Sequence, residues 1–235
     1  MVNSLKKDLK SLGNKEKEII LQRFFKTGKG QYGEGDIFLG VTVPEQRKIA
    51  KKYQNLPLKD IQILLNTKIH EYRLTAILIL CEQYKNSKKQ IYNFYLKNTK
   101  NINNWDLVDL SAHKIVGDYL FDKNNAKGIN KDILYKLAKS KNLWERRIAI
   151  ISTWYFIRQN SFKDTLKISK ILINDKHDLI HKAVGWMLRE VGKRDQLAEE
   201  KFLKKHYTNM PRTMLRYAIE RFEETKRQKY LKGQI

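Results

Sequence analysis

Apolar residues recur every three to four positions along most of the chain, which is the spacing of amphipathic helices. Prolines and glycines rarely interrupt this pattern, since there are three prolines and eleven glycines, five of them within residues 28–40. Short polar stretches such as Asp122–Asn125 separate the periodic segments. The pattern predicts helices over residues 4–12, 14–26, 44–54, 58–66, 70–85, 88–98, 104–121, 130–140, 143–158, 162–173, 178–192, 195–207 and 211–230. Consecutive helices without strands indicate an all-α fold, either an α-solenoid or a bundle.

A weak internal period favours the solenoid. Small residues occupy matching places in alternate predicted helices, spaced by 36, 37, 36 and 33 residues: Ala76, Ala112, Ala149, Gly185 and Ala218. A small side chain is needed where two helices approach closely, and repeated helix pairs bury their faces only against their neighbours. We therefore expect a curved array with a concave surface. No linker or shift in composition divides the chain, which predicts a single domain over residues 1–235.

The charge indicates a polyanionic partner. Lys and Arg number 48 against 25 Asp and Glu, which gives a formal net charge of +23. A field of this size favours nucleic acid. Lys outnumbers Arg by 36 to 12, as in AT-rich coding sequences, so part of the charge reflects coding bias.

The number of cysteines and the lengths of the apolar runs indicate the cellular compartment. Cys81 is the single cysteine, which excludes an internal disulfide and fits a reducing environment. Neither a signal-peptide pattern nor an 18-residue apolar run occurs. We expect a cytoplasmic, nucleoid-associated protein that is neither exported nor membrane-spanning.

Residues Gly28–Gly33 match the spacing G-x-G-x-x-G of dinucleotide-binding loops. That motif requires a strand before it and a helix after it. Here a predicted helix precedes it and Glu34-Gly35-Asp36 follows. We expect an ordered glycine-rich loop without a nucleotide.

Two histidines, His177 and His181, lie four residues apart with Asp175 and Asp178 nearby. No further ligand completes a coordination set, so an aspartate helix cap with two ordinary histidines is the preferred interpretation over a metal site.

A tryptophan and two acids lie close together in the predicted helix 104–121. At about 100° per residue, Trp105 and Asp109 share one side of the helix, whereas Asp106 points elsewhere. Asp109 therefore lies at the edge of the apolar stripe, partly desolvated, and must be paired, neutralised or used. Both a structural acid, bonded to a neighbouring helix or to His113, and a catalytic carboxylate fit this placement.

Two adjacent arginines lie in the predicted helix 143–158. The apolar stripe of this helix, which includes Trp144 and Ile148, has Arg147 at its flank and Arg146 on the far side. We expect Arg147 to reach a groove lined by helix flanks and Arg146 to meet solvent.

In the predicted helix 178–192, Trp186 falls off the apolar stripe. It either fills the gap to the next repeat or is exposed for stacking, and the sequence leaves both interpretations open. The C-terminal residues 201–235 are basic, and Arg212 and Arg216 follow the helix start at Pro211. They suit phosphate contact, although a solvated helix face explains them as well.

Four motifs occur in register along the chain: Phe38 to Val41 with Pro44 to Arg47, Trp105 to Asp109, Trp144 to Ala149, and Lys182 to Glu190. Together, from about residue 20 to 220, they resemble the AlkD-like DNA alkylation repair family. The loop from Phe24 to Asp36 also resembles a form common in that family.

The resemblance implies a HEAT-like α-solenoid with a concave basic groove. It also implies a monofunctional glycosylase that hydrolyses the N-glycosidic bond of N3- and N7-alkylated purines in double-stranded DNA. The catalytic aspartate of the family matches Asp109, its two active-site tryptophans match Trp105 and Trp186, and its active-site arginine matches Arg147. We expect a monomer that needs no metal or cofactor.

Five further basic residues are predicted to contact DNA: Arg146, Lys182, Arg189, Arg212 and Arg216. The alternative function is a non-catalytic HEAT-repeat protein that binds unusual or damaged DNA structures, for which charge, tryptophans and curvature would also serve. A protein–protein scaffold is a third interpretation. Asp109 argues against a pure binder, because an acid weakens phosphate binding.

Overall fold

The computed structural model describes residues 1–121 and 130–235, so the predicted stretch Asp122–Asn125 lies outside the described residues. The helices are α1 Val2–Ser11, α2 Lys15–Phe24, α3 Val43–Lys52, α4 Leu58–Leu65, α5 His70–Gln83, α6 Lys88–Lys97, α7 Trp105–Ala112, α8 Asp118–Leu120, α9 Asp132–Ala138, α10 Leu143–Arg158, α11 Lys163–Leu172, α12 Asp178–Gly192, α13 Gln196–His206, α14 Arg212–Ala218 and α15 Glu224–Lys232. Within these ranges the backbone forms no strand, only an isolated bridge between Ile37 and Ile69. The predicted all-α fold class is confirmed.

Two predicted helices are interrupted. The stretch 104–121 contains a π-helical turn, His113–Gly117, between α7 and α8. The stretch 211–230 is broken after α14 by the short 3₁₀ turn Ile219–Arg221. A new helix, α15, then begins behind the carboxylate of Glu223, which accepts hydrogen bonds from the backbone N–H groups of the next turn.

The contacts divide the chain into two compact units, Met1–Ser111 and Ala112–Ile235. The prediction of a single domain over residues 1–235 stays a prediction. In the first unit, α5 is the central helix: α3 and α4 pack on it, α1 contacts all three, and α6 follows α5. Every residue of α5 from His70 to Leu80 is buried, so its polar side chains must find partners inside the unit.

The second unit has two layers of helices. One row consists of α10, α12 and α14, each packed on the next, while α9, α11 and α13 pack against that row from behind. Gly185 lies where α12 approaches α14, and a Cβ atom there would overlap the backbone oxygen of Met214. The predicted requirement for a small residue at this position is therefore confirmed.

None of the helices in the described ranges has both the length and the apolar composition needed to cross a lipid bilayer.

Candidate functional site

The start of α7 carries the predicted tryptophan and aspartate of the first unit. Asn104 is fully buried, and its side-chain oxygen accepts a hydrogen bond of 2.8 Å from the backbone N–H of Trp105, which fixes the first residue of the helix. Trp105 and Asp109 are both half-buried and lie one helical turn apart. The structure therefore places an indole and a carboxylate on one face of one short helix, as the periodicity predicts.

Asp106 has a separate role in a buried charge cluster. Its carboxylate lies 2.8 Å from Nε2 of His70, a side chain that is almost fully buried. The other ring nitrogen, Nδ1, lies 3.5 Å from the carboxylate of Asp36, which is an electrostatic contact rather than a short hydrogen bond. The same carboxylate accepts from Arg73 Nη2 at 2.7 Å. We call His70, Asp36, Arg73 and Asp106 the charge cluster.

The charge cluster holds His70 as a cation. Burial alone would lower the pKa of His70, but the adjacent carboxylates of Asp106 and Asp36 outweigh it and raise the pKa from 6.5 to about 9. Burial likewise opposes ionisation of Asp36, yet the close contact with His70 and the charge and hydrogen bond of Arg73 keep its pKa below the ordinary value of 3.8. Two cations and two anions therefore neutralise one another beneath the start of α7.

The glycine-rich segment is ordered and contacts Trp105. The ring of Phe25 stacks on the indole at 5.1 Å between centroids and an interplanar angle of 10°. Phe24 meets the indole edge-on at 6.0 Å. The indole N–H donates to the hydroxyl of Tyr32 at 3.3 Å. The predicted ordered loop is confirmed, and its glycines permit backbone shapes such as the positive φ of 76° at Gly30.

Arg146 and Arg147 lie on α10 in the second unit. The expectation that Arg146 meets solvent is wrong. Its Nε bonds Asp175 at 2.6 Å and its Nη1 donates to the backbone oxygens of Ser140 and Lys141, so the guanidinium ties two loops to the helix. Arg147 is 5% exposed and donates to the backbone oxygen of Leu179, which fixes its charge between α10 and α12. Contact of Arg146 with DNA stays a prediction.

Trp186 is half-buried on α12, and its indole makes one ring contact and one hydrogen bond. Its ring meets Trp154 of α10 at 5.1 Å and 58°, and its N–H donates to Glu190 at 3.2 Å, four residues later on the same helix. Trp154 in turn meets His113 at 4.6 Å. Both sequence interpretations are thus partly met, because the indole fills the space next to α10 and keeps exposed area.

The remaining predicted DNA contacts differ in exposure. Lys182 pairs with Asp178 at 2.7 Å and is about two-fifths exposed. Arg189 pairs with Glu220. Arg212 is exposed and donates to the backbone oxygen of Leu231, and Arg216 is exposed on α14. Arg212 and Arg216 are the two arginines of the set with exposed side chains, which suits phosphate contact.

The two histidines at the start of α12 are structural. His177 caps the helix itself, since its Nδ1 accepts from the backbone N–H of Leu179 at 3.1 Å. The cap is therefore a histidine rather than the expected aspartate. His181 contacts the backbone oxygen of Asp175 at 2.5 Å. In the described part of the chain, no group of three or more His, Cys, Asp or Glu side chains is arranged to hold a metal ion.

Sequence reasoning missed Tyr32 and the charge cluster. Their long-range partners are separated by 34 to 73 residues, as between Asp36 and His70 or between Tyr32 and Trp105. Helical periodicity places residues only within one element, so it carries no information on such pairs.

Comparison with known proteins places the chain in a family. No curated protein sequence matches it. Among solved structures, a predicted DNA alkylation repair enzyme from Enterococcus faecalis superimposes with a TM-score of 0.73 at 18% identity, covering 90% of this chain and 97% of that one. AlkD2 from Streptococcus mutans gives a TM-score of 0.56 at 19% identity, covering 94% and 97%. At such identities the likeness shows the fold. The family model for DNA alkylation repair enzymes matches residues 5–222, and the chain therefore belongs to the DNA alkylation repair enzyme family.

Proposed function

We propose that the protein is a DNA glycosylase that hydrolyses the N-glycosidic bond of cationic N3- and N7-alkylated purines in duplex DNA. The observation that carries the proposal is the half-buried carboxylate of Asp109, one helical turn from Trp105, in a family member with a formal net charge of +23. An acid at this place weakens phosphate binding, so a strongly basic DNA-binding protein needs a chemical reason to keep it.

Cleavage of this glycosidic bond does not require the protein to protonate the leaving base. Alkylation at N3 or N7 makes the purine cationic, so the base leaves with the electron pair of its bond to C1′ and becomes neutral without being protonated. Positive charge then grows on the deoxyribose. A fixed carboxylate beside C1′ stabilises that charge and accepts a proton from the water that attacks C1′. We assign this role to Asp109.

The other family positions would hold the DNA. Trp105 and Trp186 present indole faces that pack on the sugar and attract the developing cation. Arg147 is 5% exposed and bonded to the backbone oxygen of Leu179, so we assign it a fixed positive charge that attracts a phosphate next to the lesion through the electrostatic field. Arg146, Lys182, Arg189, Arg212 and Arg216 are proposed as further DNA contacts, of which Arg212 and Arg216 have exposed side chains.

The decisive experiment measures base release from methylated duplex DNA by chromatography and mass spectrometry. We expect the parent protein to release N3-methyladenine and N7-methylguanine, and Asp109→Asn to release them about 100-fold more slowly or worse. Asp109→Asn should bind the same DNA at least as tightly, because it lacks one negative charge. Equal rates for parent and variant would show that Asp109 is not the catalytic carboxylate.

A control separates the glycosylase from a binding-only protein. Asp60→Asn removes an acid in the first turn of α4, outside the site described above, and should release base at the parental rate. If the parent binds damaged and undamaged DNA with strong salt dependence but releases no base, the non-catalytic alternative is correct.

We also propose that the protein acts as a cytoplasmic monomer without metal or cofactor. Base release should then persist in excess EDTA, and the rate should be proportional to protein concentration. Loss of activity in EDTA that Zn²⁺ or Mg²⁺ restores would overturn this part of the proposal.

A further inference from the structure

We propose that the glycine-rich segment, residues 24–36, is a clamp that positions the Trp105 indole so that it presents one fixed face to the DNA. The clamp consists of Phe24, Phe25 and Tyr32, and it is anchored at Asp36. The proposal rests on the proposed function in naming DNA as the occupant of the exposed face. The positioning itself is independent of that function.

The first support is the ring geometry. At an interplanar angle of 10°, Phe25 covers one face of the indole, and Phe24 at 76° closes an edge. Trp105 is nevertheless half-buried rather than buried, so indole surface remains for a ligand. A flat or apolar group, such as a deoxyribose or a base, can therefore pack only on what the two phenylalanines leave uncovered.

The second support is the hydrogen bond of the indole. Stacking alone lets two rings slide and rotate in their plane, because its energy depends weakly on such movement. The bond of 3.3 Å from Trp105 Nε1 to the Tyr32 hydroxyl removes this freedom. Tyr32 is in turn directed by the segment, since its hydroxyl lies 3.4 Å from the backbone oxygen of Phe24.

The third support is the anchor at the end of the segment. Asp36 is 7% exposed and accepts from Arg73 at 2.7 Å, and Asn104 Nδ2 lies 3.5 Å from the same carboxylate. Asn104 also fixes the backbone of Trp105. The segment is thus tied to the start of α7 at the backbone by Asp36 and at the side chain by Tyr32.

The glycines explain how so short a segment places both Tyr32 and Asp36 against the start of α7. A Cβ atom at Gly33 would overlap the backbone oxygen of Phe25, so the chain can fold back on the ring that stacks on Trp105 only if residue 33 is a glycine. Gly35, with φ of 83°, then turns the chain into Asp36. Gly33, the last glycine of the spacing that resembles a nucleotide-binding loop, serves here to fold the clamp.

Positioning has a kinetic consequence. A side chain already fixed in its bound orientation loses little freedom when the ligand arrives, and it keeps its geometry while charge develops. Phe25 is buried, and the hydroxyl of Tyr32 is engaged by the Trp105 indole. They are positioning residues that act through Trp105.

The test uses Tyr32→Phe in the full chain, labelled with ¹⁵N, and follows the four indole N–H signals by NMR. Trp105→Phe identifies the signal of Trp105. We expect Tyr32→Phe to shift that signal and to speed its exchange with solvent, while the other three signals stay in place. Tyr53→Phe is the matched control, because it removes a hydroxyl bonded to Asp8 in the same unit and should leave all four signals unchanged.

The kinetic arm measures single-turnover base release and DNA affinity separately. Tyr32→Phe should slow release roughly 5-fold, the effect of one neutral hydrogen bond, with the affinity for DNA changed less than 2-fold. An unshifted Trp105 signal, or equal shifts in both variants, would overturn the clamp. If the parent releases no base, the glycosylase proposal fails, and the NMR arm still decides the clamp.

Discussion

The two tryptophans proposed to contact DNA, Trp105 and Trp186, lie one in each unit and are held by different kinds of contact. Trp105 lies between a stacked phenylalanine and a tyrosine hydroxyl, above a buried cluster of two cations and two anions. The Trp186 ring packs on Trp154 at an interplanar angle of 58°, and its indole N–H donates to Glu190 on the same helix. Both indoles pack on rings and donate one hydrogen bond, but the hydrogen-bond partner of Trp105 lies 73 residues away and a charge cluster underlies its helix, whereas the hydrogen bond of Trp186 stays within α12.

The difference matters because the two kinds of contact respond differently to change. Removing one member of a buried charge cluster leaves the others without compensation, which is costly. Trimming one ring of an aromatic pair loses contact area and leaves no polar group unpaired. We therefore expect a single substitution in the charge cluster near Trp105 to lower the free energy of unfolding strongly. A single substitution beside Trp186 should lower it only slightly.

The largest effect is expected for Asp36→Asn in the charge cluster. Arg73 and His70 would lose their shared counter-charge inside the first unit, and the free energy of unfolding should fall by about 3–5 kcal/mol. Urea unfolding followed by circular dichroism measures this. Asp60→Asn should change the same quantity by less than about 1 kcal/mol. A loss below that level for Asp36→Asn would mean that the charge cluster does not hold the first unit together.

The pH dependence of stability tests the ionic character of the same cluster. The pKa of His70 is raised from 6.5 in the unfolded chain to about 9 in the fold. Its contribution is fully present below pH 6.5 and is lost as the pH rises through 9, because the unfolded chain releases the proton first. The interval corresponds to roughly 3 kcal/mol. We expect the free energy of unfolding to fall by about that amount between pH 6.5 and 9.

A second group must be removed for this measurement. Glu199 in the second unit is 2% exposed, and burial, with the charge of Glu200, raises its pKa to about 9, so it destabilises the fold over the same range. The measurement should therefore be made with Glu199→Gln as the parent and with His70→Gln added as the control. A curve that stays flat with His70 present, or that falls equally without it, would contradict a cationic His70.

Periodicity predicted what lies within one helix. Local spacing places Trp105 and Asp109 on one face and predicts the buried small residues. The steric rules for proline predict the helix starts near Pro44 and Pro211. The break after α14 was missed, because a glutamate is a weak helix start and residues 219–223 retain apolar spacing.

Long-range pairing could not be predicted in the same way. Arg146 was expected in solvent, since its position faces away from the apolar stripe, yet a loop carrying Asp175 covers that side of α10. The clamp on Trp105 likewise joins residues about 70 positions apart. Which long-range partners meet depends on how the helices pack. The amphipathic spacing of a single sequence does not specify this packing.

The smallest effect is expected for Trp154→Phe beside Trp186. The variant keeps an aromatic ring on α10, and the change in unfolding free energy should be about 0.5–1.5 kcal/mol, the range of one aromatic pair. The indole N–H signal of Trp186 should shift, because the neighbouring ring is smaller, although its bond to Glu190 remains. Trp144→Phe on the same helix, about 15 Å earlier along its axis, should leave that signal in place. If Trp154→Phe instead destabilises the protein as strongly as Asp36→Asn, the packing around Trp186 is as cooperative as the charge cluster, and the two tryptophans do not differ in the way proposed.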